Sequence, residues 1–160
     1  MITFKGRKTT TLIIIHDSHT RPGKVGDVER WATLAHEQGL KMGLLAIGYH
    51  AILERDGTVV VCRPHEKIGT HTPGLNLESV AICLVGGREE PEGDGVDNFT
   101  PEQRRSLLRL LHELTIIYPK AKVRGHSEVQ KFRRDHPDCP PIDMDLLRDD
   151  LKLFAQGIVL

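Results

Sequence analysis

Two imidazoles and a thiol, spread over three distant segments, are the side chains best suited to chemistry in this chain. His16 follows the apolar run Leu12-Ile13-Ile14-Ile15, His126 lies in Val123-Arg124-Gly125-His126, and Cys139 lies in Pro137-Asp138-Cys139-Pro140. Two histidines and a cysteine suit zinc, and three protein ligands leave a fourth position for water or substrate. Gly48-Tyr49-His50 opens a predicted strand and could bring a phenol to that position. Such a set points to hydrolysis. Each residue also has a plainer reading. Taken alone, His16 reads better as a core histidine bonded to backbone. Cys139 could be a small buried hydrophobe, the common fate of a free cysteine. Tyr49 could be strand packing with its hydroxyl at the rim. A further option makes Cys139 the nucleophile and His126 the base of a thiol hydrolase. Ser18, in His16-Asp17-Ser18-His19, lacks the elbow that activates a serine nucleophile.

These residues need elements to position them. Leu12 to Ile15 reads as a buried central strand, with His16 at its C-terminal end, where open α/β sheets place their sites. Asp27 can cap a helix to about Gln38, with Val28, Trp31, Ala32 and Ala35 on its inner face and Gly39 as its stop. Tyr49 to Leu53 and Thr58 to Cys62 flank Asp56-Gly57, a hairpin signal, and strand alternation would turn His50 away from Tyr49. Cys62 and Cys83 fall in apolar strands and read as core. Ser79 to Val85 is a second buried strand, closed by Gly86-Gly87, and an acidic, Gly- and Pro-containing loop follows from Arg88 to Asn98.

Thr100-Pro101-Glu102-Gln103 is a capping box opening a helix whose stripe is Leu107, Leu108, Leu110, Leu111, Leu114 and Ile117, ended by Pro119. Lys122 to Arg124 is a short strand delivering His126. Asp143 can cap a last helix with Met144, Leu147, Leu151 and Phe154 inward. The expected fold class is α/β: one domain over residues 1–160, with a central mixed β-sheet flanked by helices on its faces.

At 160 residues, with 39% apolar and 28% charged side chains, the chain is long enough to bury a core of its own. Lys plus Arg and Asp plus Glu number 22 each, so net charge is zero and no nucleic-acid partner is expected. Arg124, Lys131, Arg133 and Arg134 gather near two candidate ligands, as a patch that could attract an anionic polymer or as a solvated loop. Three cysteines, an odd number, and no apolar stretch after Met1 suggest synthesis in a reducing cytoplasm without a signal peptide. No run is long enough to span a bilayer, so no stable membrane association is expected, and a monomer is expected.

Several segments occur in an order that resembles a known family: Leu12-Ile13-Ile14-Ile15-His16, Ile47-Gly48-Tyr49-His50-Ala51-Ile52, Gly69-Thr70-His71, Ser79 to Gly87, Asn98-Phe99-Thr100-Pro101-Glu102-Gln103, Gly125-His126 and Asp138-Cys139-Pro140. The family is the zinc-dependent N-acetylmuramoyl-L-alanine amidases, which share a fold with peptidoglycan recognition proteins. The likeness is strongest to short phage lysozymes of the bacteriophage T7 type. It implies one zinc ion on His16, His126 and Cys139, Tyr49 as the catalytic tyrosine, and His71 on the wall of a substrate-binding groove. It implies bacterial peptidoglycan as substrate, cut between N-acetylmuramic acid and L-alanine of the stem peptide. It also implies a phage endolysin, made in the host cytoplasm and acting on the wall after release. A bacterial amidase that recycles wall fragments and a binding module without catalysis are the alternatives; binding-only relatives commonly lack the cysteine ligand. One departure stands out. Phage relatives usually carry a lysine two positions before the ligand cysteine, and here that position is Pro137. A substitute cation would come from His136, Arg134 or Lys131, or be absent.

Overall fold

The computed structural model describes residues 3–22, 47–91, 93–130 and 138–158. Five strands form one sheet: β1 (Leu12–Asp17), β2 (Ala51–Leu53), β3 (Val59–Val61), β4 (Ser79–Leu84) and β5 (Lys122–Gly125). Their order across the sheet is β3-β2-β4-β1-β5. All neighbours run parallel except the β2–β3 hairpin, so the sheet is mixed as expected. Gly57 makes the hairpin turn at φ 86, a conformation that costs glycine little. The predicted helix from Asp27 to about Gln38 lies outside the described residues.

Among the described residues the α-helices are α1 (Pro101–Ile117), α2 (His126–Val129) and α3 (Met144–Ala155). Thr100 and Gln103 close the capping box on α1, and Asp143 caps α3 by accepting from the Leu146 amide at 3.0 Å. Gln103 does a second job. Its amide nitrogen donates to the carbonyls of Leu53 at 3.0 Å and Val85 at 2.9 Å, just where β2 and β4 end. A fully buried glutamine thus gives each carbonyl a second donor, since Leu53 already accepts from the Val85 amide and Val85 from Arg55.

Central parallel strands are covered on both faces, which is why β1 and β4 are apolar almost throughout. On one face Ile13, Ile15, Leu53, Val80, Ile82, Leu84 and Val123 pack against Leu107, Leu111 and Leu114 of α1 and Met144 of α3. Ile117, predicted for the buried stripe of α1, is instead exposed at the last turn, while Tyr118 beside it packs against the core. The opposite face carries Ile52, Cys83 and Val85, with Tyr49 and Cys62 packed against them. Ile52, Cys83 and His16 stand in register on three adjacent strands. The row is hydrophobic until it reaches β1, where it becomes an imidazole. Among the described residues, no helix is long and apolar enough to cross a membrane.

Candidate active site

Parallel pairing sets the geometry. Ile15 of β1 is level with Gly125 of β5, so the residues that follow them, His16 still within β1 and His126 just past the end of β5, stand side by side. Their ring centroids are 4.5 Å apart. Cys139 completes the group: ligand atoms of His16, His126 and Cys139 all lie within 4.8 Å of one another, and all three residues are buried. Two hydrogen bonds hold Cys139 there. Its carbonyl accepts from the Ser127 amide at 2.8 Å, and its sulfur accepts from the Asp17 amide at 3.4 Å.

The short helix α2, absent from the sequence expectations, is locked at both ends. Glu128 Oε1 accepts from the Gly125 amide at 2.8 Å, and Arg148 of α3 grips the same carboxylate with two nitrogens at 2.9 and 3.1 Å. The only local signal for it was the three-residue spacing of Gly125 and Glu128 at a strand end.

Tyr49 joins the group, with its ring 5.2 Å from that of His16. Burial pushes its phenol well above the ordinary range, and Cys83, Cys139 and Asp17 act in the same direction. The group is therefore held protonated, as a proton donor requires. Residues 48–50 form a bend before β2 begins at Ala51, so strand alternation does not apply to them. This corrects the expectation that His50 turns away from the site. Its ring lies 5.9 Å from that of His71, which in turn lies 5.2 Å from His16.

His50 is a structural histidine. Its Nδ1 accepts from the Ala81 amide at 2.9 Å, and its Nε2 donates to the Lys67 carbonyl at 2.7 Å. Burial, above all, drops its pKa to about 4. The unfolded chain takes up this proton below about pH 6.5, whereas the folded protein resists it until about pH 4. The stability His50 provides is thus complete above about 6.5 and drains as pH falls toward 4. Between about pH 7 and about pH 5 the expected loss is about 2 kcal/mol. Denaturant unfolding at the two pH values measures it, and the corresponding slope is expected to disappear in His50→Gln.

His71 sits behind His16. Ser79 spends its only hydroxyl proton on the Leu75 carbonyl at 2.7 Å, so at 3.3 Å from His71 Nε2 it accepts. His71 then carries its proton on Nε2, and its Nδ1 accepts from Thr72 Oγ at 2.8 Å and from His16 Nε2 at 3.2 Å. His16 is left with its lone pair on Nδ1. Asn76 Oδ1 fixes the loop by accepting from the amides of His71 at 3.0 Å and Thr72 at 2.9 Å. Asn76, Thr72 and Ser79 were not identified from sequence, where nothing periodic marks them.

Asp17 follows His16 and is 2% exposed. Among the described residues its Oδ1 has no hydrogen-bond partner, while Oδ2 accepts from the His19 amide at 3.2 Å and lies 4.0 Å from an Arg88 nitrogen. Burial raises this carboxyl to about 6, against the pull of Cys139, Arg88 and His19. Burial and Asp17 in turn push the Cys139 thiol far above its ordinary value. Gly87 lets the two strands meet here: at φ 98 it has no side chain, and a Cβ would overlap the Asp17 carboxylate. A thiol and a carboxyl, both buried and both resisting ionisation, gain from a cation between the histidines and Cys139. The donor set therefore fits zinc, which favours deprotonated sulfur. His136 and Arg134, proposed from sequence as the second cation, fall among residues 131–137, outside the described residues.

The family model for N-acetylmuramoyl-L-alanine amidase matches residues 6–141. The endolysin of Escherichia phage T7 is 37% identical over 146 residues, covering 89% of this chain and 88% of its own. The endolysin of Enterobacteria phage K11 is 36% identical over the same shares. The solved structure of the N-acetylmuramoyl-L-alanine amidase LysC from Clostridium intestinale URNW has a TM-score of 0.71 at 22% identity, over 94% of this chain and 95% of that one, a likeness of fold. The chain belongs to the N-acetylmuramoyl-L-alanine amidase family.

Proposed function

We propose that this chain hydrolyses the amide between N-acetylmuramic acid and L-alanine in bacterial peptidoglycan, using one zinc ion held by His16, His126 and Cys139, and that it serves a phage as its endolysin. The observation that carries the reading is the meeting of those three ligand atoms within 4.8 Å, beside the Tyr49 ring. When bound, zinc supplies Lewis acidity and an acidified water at neutral pH. Tyr49, held protonated, donates a hydrogen bond to the oxyanion that develops on the scissile carbonyl. His16 and His126 stay neutral donors of nitrogen lone pairs, and Cys139 contributes sulfur once its proton leaves.

His71 acts in this reading chiefly behind His16, with both ring nitrogens engaged by protein. The thiol-hydrolase alternative is disfavoured by Cys139 itself. A nucleophilic cysteine needs a lowered pKa, and burial beside Asp17 drives this one the other way. Kinship with two phage endolysins supports the lytic role.

Elemental analysis of the purified protein, paired with detection of new L-alanine amino termini on purified peptidoglycan, tests the proposal. One zinc per chain is expected, with activity lost on chelation and restored by zinc. Full activity in metal-stripped protein, or cleavage at a glycosidic bond, would overturn it.

A further inference from the structure

Gln130 is the first residue after α2 and reaches back one turn to His126. Its Nε2 donates to the Pro73 carbonyl at 2.7 Å, and its Oε1 lies 2.7 Å from His126 Nε2. A backbone carbonyl only accepts, so the amide can stand one way round: nitrogen toward Pro73, oxygen toward His126. An amide oxygen cannot donate. The proton between them therefore belongs to His126 Nε2, and the lone pair of the neutral ring is on Nδ1.

We propose that Gln130 is a positioning residue for the metal centre, holding His126 in the Nε2–H form so that Nδ1 is its ligand atom, and anchoring that choice to the Pro73 carbonyl. The inference rests on the zinc reading above. Ligand histidines generally donate their second ring N–H to an acceptor, and loss of such a partner typically costs about 10–100-fold in metal affinity. Here the acceptor is held by a particular loop. Pro73 directly follows His71 and Thr72, which take the Nε2 side of His16 at 3.2 and 3.3 Å. The outer hydrogen bonds of both histidines thus converge on one loop, which Asn76 pins from within. His16 reaches the loop through His71, and His126 reaches it through Gln130.

The test compares wild type, Gln130→Ala and Gln130→Glu. Zinc affinity is measured by competition with a chromophoric chelator, and the His126 tautomer by ¹⁵N NMR of zinc-loaded wild type. Gln130→Ala is expected to lose about 10–100-fold in zinc affinity. Gln130→Glu keeps an acceptor for His126 but sets an oxygen against the Pro73 carbonyl, so it is expected to lose clearly less zinc affinity than Gln130→Ala. The NMR spectrum should show a proton on Nε2 and metal at Nδ1. Zinc on Nε2 would overturn the assignment, as would wild-type affinity in Gln130→Ala or equal losses in the two variants. If wild type itself binds no zinc, the reading of the centre fails first. If wild type binds zinc and Gln130→Ala matches it, only the role of Gln130 falls.

Discussion

A Cys139→Ser protein is expected to purify without its zinc and to release no measurable product from peptidoglycan. Cys139 is 2% exposed and brings the one sulfur of the centre. Serine nearly matches it in size and can still accept from the Asp17 amide, so the fold is expected to hold. A hydroxyl at neutral pH, however, is a far poorer zinc ligand than a thiolate. Loss of the ligand itself should exceed the roughly 10–100-fold effect of losing an outer partner. Zinc content decides what the inactivity means. An inactive Cys139→Ser protein that retains one zinc per chain would instead make Cys139 a nucleophile.

Tyr49→Phe is expected to do the opposite, keeping zinc while losing turnover by about 10²–10³-fold, the usual cost of one oxyanion donor. The ring would still pack against Ile52, Cys83 and Val85. Only the hydroxyl is lost, and it is the part that burial keeps protonated. Steady-state kinetics on zinc-loaded enzyme provides the measurement. Turnover close to wild type would remove Tyr49 from the chemistry and leave the oxyanion to other donors.

The ligands were legible because each of two apolar runs stops where chemistry begins. Ile13 to Ile15 and Val123 to Gly125 carry the periodic signal, and His16 and His126 follow them directly. Caps at Thr100 and Asp143 were equally plain, since capping depends on neighbours three residues away. What stayed hidden depends on contacts across the chain. Gln130 and Pro73 are 57 positions apart, and Gln103 and Leu53 are 50 apart, with no local pattern to pair them. His50 was misplaced for a different reason. Alternation assumes an extended strand, but the chain bends at residues 48–50, where Gly48 packs so closely on Thr70 that a Cβ would overlap its carbonyl. That bend turns two successive side chains toward one cluster.

The register of β1 between β4 and β5 has a consequence for timing. Asp17 and Cys139, which touch through an amide and a sulfur, are separated by 122 positions. A ribosome delivers β1 before both of its sheet partners, with β5 emerging only after α1. His16 is therefore synthesised before the strands that flank it, β4 and β5, have emerged. A growing chain can have no three-ligand centre until Cys139 has cleared the ribosome, so competence to cut must wait for the last of the three ligands to emerge, after both histidines.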